Sequence, residues 1–121
     1  MRALDYVSED SLPGLYAGAL ALAMPSLYEG FGLPVLEAMR RGVPVACSNR
    51  STLPEVAGDA ALLFDPEDAE AIHSALTRLL DDDRLRERLR AAGPDQAARF
   101  DWNATATGTA ASYERALRDA A

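Results

Sequence analysis

Hydrophobic positions along the chain fall into two regimes. Up to Asp65-Pro66 they gather in short apolar runs: Ala3 to Val7, Ala19 to Met24, Val43 to Cys47 and Ala61 to Phe64. Each is bounded by proline, glycine or polar residues, which is the mark of short strands. Pro44 stands near the start of its run, where a missing ladder donor matters least. Helical stretches alternate with these runs. Ser8 is a candidate N-cap, with Glu9 and Asp10 in the first turn, for a helix through Leu12, Leu15 and Tyr16 that Gly18 closes. Pro13 lies close enough to its start to be tolerated. A second helix begins around Pro34 and ends at Gly42, which suits a left-handed C-terminal cap. Ser48 to Thr52 read as a polar loop, and Leu53-Pro54-Glu55-Val56 as one helical turn.

From Glu67 onward the apolar period lengthens to that of helices. Ile72, Leu76, Leu79 and Leu80 mark one helix face; Leu85, Leu89 and Ala92 mark another. The run Asp81-Asp82-Asp83 separates the two and can cap the second, and Gly93-Pro94 is expected to break it. Asp101 reads as the N-cap of a last helix carrying Trp102, Ala106, Ala110, Tyr113 and Leu117 on its apolar face. Buried strands alternating with helices predict an α/β fold, a Rossmann-like parallel sheet with right-handed crossovers and flanking helices, followed by a helical C-terminal segment. Residues 1–66 form the α/β part and 67–121 the helices of a single partial domain, since about four strands are few for a complete doubly wound sheet.

Ligands of such sheets bind beyond the carboxyl ends of the strands. The stretch that follows the second apolar run is Pro25-Ser26-Leu27-Tyr28-Glu29-Gly30-Phe31-Gly32-Leu33-Pro34-Val35-Leu36-Glu37-Ala38-Met39. A strand, a glycine-bearing turn and a helix start make an anion site, because the first helical amides lack internal partners and the helix dipole adds positive charge there. Glu29 and Glu37 flank it. Carboxylates beside a phosphate cradle repel phosphate, but they accept O–H donors well, which suits the hydroxyls of a ribose or a hexose. The residues therefore point to a nucleotide-sugar site. Taken by themselves, Glu29 also reads as a solvated loop acid, and Glu37 as a carboxylate placed for the helix dipole.

Glu29 and Glu37, seven residues apart within P-S-L-Y-E-G-F-G-L-P-V-L-E-A-M, resemble the double-glutamate signature of retaining glycosyltransferases of family 4. The resemblance continues through Arg41-Gly42-Val43-Pro44-Val45-Ala46, Leu53-Pro54-Glu55-Val56-Ala57-Gly58-Asp59-Ala60-Ala61 and Phe64-Asp65-Pro66. It implies the GT-B architecture and, within it, the distal part of the C-terminal, donor-binding lobe. In the family the other lobe binds the acceptor, and the earlier part of the donor lobe carries basic residues for the diphosphate. The resemblance implies that Glu29 faces the donor sugar as the catalytic carboxylate and that Glu37 grips the ribose hydroxyls. It places the amides of Gly30, Phe31, Gly32 and Leu33 against donor sugar and phosphate. Pro34 offers no amide. Val7 matches a position where main-chain groups meet the nucleobase. Asn49 to Thr52 correspond to a loop where many members carry a glycine pair; Ser51 and Thr52 stand there instead.

Composition narrows the partners. A net charge of −7 argues against nucleic acid or an anionic membrane surface. No apolar run approaches membrane-spanning length and no signal-like start is visible, and the single Cys47 fits a reducing compartment, so the chain reads as cytoplasmic. One cysteine and one histidine, His73, make no zinc site, and nothing resembles a metal-binding Asp-x-Asp motif, so neither metal nor cofactor is expected. The implied activity is transfer of a hexosyl group from a nucleoside diphosphate sugar to an acceptor hydroxyl with retention, this chain supplying part of the donor site and inactive alone. The alternative is a non-catalytic fragment that binds nucleotide weakly or forms a homo-oligomer through exposed apolar helix faces such as that of Trp102 and Tyr113. A third reading is a related epimerase or glycogen-synthase-like enzyme.

Overall fold

β1 (Leu22–Met24), β2 (Val45–Ser48) and β3 (Ala61–Phe64) lie side by side in a parallel sheet of order β1-β2-β3. The structure is a computed structural model and describes residues 3–120. Leu22 pairs with Val45 and Met24 with Cys47; across the next ladder Val45 pairs with Ala61 and Ser48 with Phe64. All residues of the central strand are buried. Alternation along it sends Val45 and Cys47 to one face and Ala46 to the other, and each face has its own cluster. Val45 and Cys47 pack with Val35, Leu36, Met39, Leu53 and Val56. Ala46 packs with Phe64, Ala75, Leu79, Leu85 and Leu89. Met39, Leu53, Leu79 and Leu89 are fully buried, each contributing about 2 kcal/mol of apolar burial.

The helices are α1 (Leu12–Gly18), α2 (Leu33–Arg40), α3 (Leu53–Ala57), α4 (Ala69–Asp81), α5 (Asp83–Ala97) and α6 (Trp102–Asp119), with a 3-10 turn at Gly58–Ala60. Asp68, Asp82 and Asp101 cap α4, α5 and α6, their carboxylates accepting from first-turn amides. α2 ends as its glycine predicts. Gly42 adopts φ 66°, its amide donates to Met39 O and the Val43 amide to Ala38 O. In α5, Arg86 reaches back to the last carbonyls of α4, Leu79 O and Leu80 O, while Arg84, Arg88 and Arg90 are exposed.

Four expectations are corrected. Residues 3–7 form no strand: Leu4 and Tyr6 are exposed and no described strand lies beside them to complete a ladder. α1 starts at Leu12 and not after Ser8. Pro13 occupies its first turn and so sets the start, while the Ser8 carbonyl closes a preceding turn with Ser11 N and Leu12 N. The strand expected over 43–47 runs from Val45 to Ser48, and the Pro44 carbonyl accepts from Leu22 N just before the paired residues. Gly93-Pro94 does not break α5, which runs on to Ala97. Gly93 lets two helices touch: a Cβ there would stand 3.1 Å from Met39 O and 3.3 Å from Met39 Cα in α2. The turn after Pro94 is held by tertiary contacts, with Ala97 buried and Gln96 Nε2 donating to Val56 O at 3.0 Å. Among the described residues no helix is long and apolar enough to cross a membrane.

Candidate functional site at the β1–α2 turn

The chain leaves the carboxyl end of β1 at Met24 and enters α2 at Leu33, so Glu29 to Gly32 sit where parallel sheets present ligands. Gly32 is the N-cap, at φ 107° and ψ 41°. A Cβ at this position would lie 2.7 Å from Leu53 Cδ2. That torsion favours glycine, and any larger residue would also have to displace the end of the Leu53 side chain. No side chain caps the helix, and Pro34 in its first turn has no N–H to give. Val35 N and Leu36 N turn back onto Gly32 O at 3.0 and 3.4 Å. The amides of Gly30, Phe31, Gly32 and Leu33 find no hydrogen-bond partner among the described residues. Gly30 has open space around it and no positive φ.

The Glu29 and Phe31 carbonyls of the same loop are engaged. Ser51 Oγ donates to Glu29 O at 2.7 Å and lies 3.4 Å from Glu29 N. Thr52 Oγ1 donates to Phe31 O at 2.9 Å and lies 3.2 Å from Glu29 O. Arg50 braces this second loop against the end of β3, with Nη2 3.0 Å from Asp65 Oδ2 and 3.6 Å from Glu67 Oε2. The amide of Glu67 and then the Arg50 guanidinium hold the Asp65 carboxyl below its usual range. Phe31 turns its ring edge-on to Phe100, centroids 5.9 Å apart, so its side chain packs while its amide stays open.

Glu37 is half-buried, one turn into α2. Tyr16 OH donates to Glu37 Oε2 at 3.1 Å and lies 3.4 Å from Pro34 O. Arg41 covers the Tyr16 ring, its guanidinium carbon 5.2 Å from the centroid, and donates to Glu37 O at 3.1 Å. Burial, then the hydrogen bond to Glu37, push the Tyr16 phenol up to about 12, against a smaller opposite pull from Arg41. One carboxylate oxygen of Glu37 is therefore fixed, and Oε1 has no partner among the described residues.

The turn thus gathers Glu29, Gly30, Phe31, Gly32, Leu33 and Glu37 on one loop and helix start. Val7 is not among them. It lines a cleft of about 470 Å³ with Leu4, Tyr6, Ser8, Ser11, Gly14 and Leu15, in which no residue of the turn takes part. Tyr16 carries no local sequence signal, since it stands 21 residues from Glu37. Ser51 and Thr52 were visible only as a departure from the glycine pair. His73 is exposed on α4, and burial pushes the Cys47 thiol up to about 12, leaving it inert in the core. Among the described residues no three His, Cys, Asp or Glu side chains cluster as metal ligands would.

The family description "Glycosyl transferases group 1" matches residues 1–96. The O-antigen chain mannosyltransferase B of Escherichia coli is 50% identical over 114 residues, covering 94% of this chain and 30% of that protein. The MMP alpha-(1->4)-mannosyltransferase of Mycolicibacterium hassiacum is 41% identical over 115 residues, covering 92% and 28%. Among solved structures, the sucrose-phosphate synthase from Thermosynechococcus elongatus superposes with a TM-score of 0.79 at 31% identity, over 98% of this chain and 30% of that one. The chain thus spans about 30% of the length of these proteins. The likeness bears out the expected fold class, a partial GT-B C-terminal lobe with its parallel sheet and flanking helices.

Proposed function

The chain belongs to the glycosyl transferases of group 1, and from that premise we propose that its β1–α2 turn is part of the donor site for a nucleoside diphosphate sugar. The reaction is transfer of a hexosyl group to an acceptor hydroxyl with the anomeric configuration kept. The names of the relatives at 50% and 41% identity make mannosyl the first group to test. The observation that carries the reading is the polarity of the turn: the carbonyls of Glu29 and Phe31 are tied back by Ser51 and Thr52, and the amides of Gly30, Phe31, Gly32 and Leu33 have no partner among the described residues. Free amides at a helix start suit the diphosphate, whose developing charge on departure they would stabilise without reorganising. Glu37, with one oxygen held by Tyr16, would use the other on the ribose hydroxyls. Glu29 would face the sugar and stabilise positive charge at the anomeric carbon. Residues 1–66 would carry this site, 67–121 would back it with helices, and no metal would take part.

Isothermal titration of the chain with UDP, GDP and ADP, and with one sugar nucleotide of each, tests this beside Glu37→Ala. Saturable binding of one nucleotide class, weakened roughly tenfold by the substitution, supports the reading, as loss of a charge-assisted hydrogen bond would. Binding by none of them, from a folded sample, overturns it. One feature favours the second reading, a self-associating chain without a working site. No residue of α6 is buried, and Trp102 and Tyr113 are 87% and 68% exposed.

A further inference from the structure

We propose that Ser51 and Thr52 are positioning residues, a pair of hydroxyl tethers that set which way the peptide groups of the Glu29–Gly32 loop point; the inference rests on the donor-site reading of that loop. Each peptide unit exposes either its carbonyl or its amide to a given side. An anion site needs amides outward and is spoiled by carbonyls that share its face. Ser51 takes the Glu29 carbonyl at 2.7 Å and Thr52 the Phe31 carbonyl at 2.9 Å, so the two carbonyls face the β2–α3 loop. The amides between and after them are left without partners among the described residues.

Backbone strain points the same way. Ser51 adopts φ 56° and is the sole non-glycine residue at positive φ among the described residues. Glycine would relieve that conformation but has no hydroxyl, so a serine held there marks a side chain whose bond offsets the strain. The tether is also anchored at its base. Ser48 Oγ accepts from Arg50 N at 3.0 Å, and Arg50 pairs with Asp65. The strained residue thus hangs between the sheet edge and the Glu29 loop, with little freedom to give.

The test uses the whole chain and four variants, Ser51→Gly, Thr52→Val, Thr52→Ser and the double Ser51→Gly/Thr52→Val. Nitrogen-15 relaxation reads the order of the Gly30, Phe31 and Gly32 amides, and titration with UDP, GDP and ADP reads binding. Ser51→Gly removes strain along with the hydroxyl, so its melting temperature is expected to stay at the parent value or rise. Order at the three amides is expected to fall in Ser51→Gly, in Thr52→Val and most in the double variant, with nucleotide affinity falling about fivefold or more. Thr52→Ser keeps the oxygen and is expected to restore both. Unchanged order in the double variant overturns the inference, and so does a loosened loop that binds as tightly as before. If the parent chain binds no nucleotide the donor-site reading fails, and relaxation alone then decides whether the tethers set the loop.

Discussion

Tyr16 and Glu37 come from different helices, and their contact makes a buried phenol depend on a carboxylate. A phenol in the unfolded chain ionises near 10.0, whereas in the folded chain burial and the Glu37 bond hold the proton until about 12. Between those values the folded state binds more protons, so stability falls as pH rises through that window and is fully present below it. Denaturation midpoints followed from neutral pH into that window are expected to fall more steeply for the parent than for Tyr16→Phe. Equal slopes would mean that the phenol is not held. Of these residue contacts, Glu29 and Glu37 were legible from spacing and type, and Gly32 from the need for a turn before a helix. Tyr16, Ser51 and Thr52 were not, because their roles depend on partners 21 to 23 residues away that only the tertiary fold brings near.

At the scale of elements, the helix pair α2 and α5 governs how firmly the turn is backed. α2 carries Glu37 and follows directly on the loop with the free amides, and its Met39 backbone lies against Gly93. Gly93→Ala is expected to cost about 1–3 kcal/mol, because the backbone of Met39 cannot give way as a flexible side-chain end would. Chemical denaturation checks it, and a cost near zero would mean that the helices slide apart freely. The same residue explains why sequence alone mistook Gly93-Pro94 for a stop. Glycine and proline together usually end a helix, but here one serves close approach and the other is carried by the buried Ala97 and the Gln96 bond. Strand pattern was legible at 22–24, 45–47 and 61–64; it misled at 19–20, where Leu20 is exposed before β1 begins, and at 3–7, beside which no described strand lies. Ladder hydrogen bonds belong to pairs of strands, so no single run can guarantee them.

For the whole molecule, α6 stands apart from the packed body. It is well formed, with an Asp101 cap and eighteen residues, yet it buries none of them. Helices in proteins draw most of their stability from packing an apolar face, so its exposed apolar positions Trp102, Tyr113 and Leu117 need cover from elsewhere. A chain ended at Asp101 is expected to keep its melting temperature within about 2 °C, since no described core contact is lost. It is also expected to sediment as a smaller species than the parent at equal concentration. A large drop in melting temperature would show that α6 supports the body; unchanged sedimentation would remove it as the seat of association.

The tethers from Ser51 and Thr52 bear on how such lobes can be recombined. The stretch 25–39 looks like a portable cassette, because it holds both carboxylates and both glycines. Yet the oxygens that orient its peptide planes are encoded after the next strand, and those are braced in turn by a residue after the one beyond. A cassette moved into a foreign scaffold would bring its acids and leave its steering behind. The inheritable unit is thus the three-strand block from β1 to Asp65, and swaps drawn at its outer borders preserve the plane of each peptide where swaps drawn inside it scramble them.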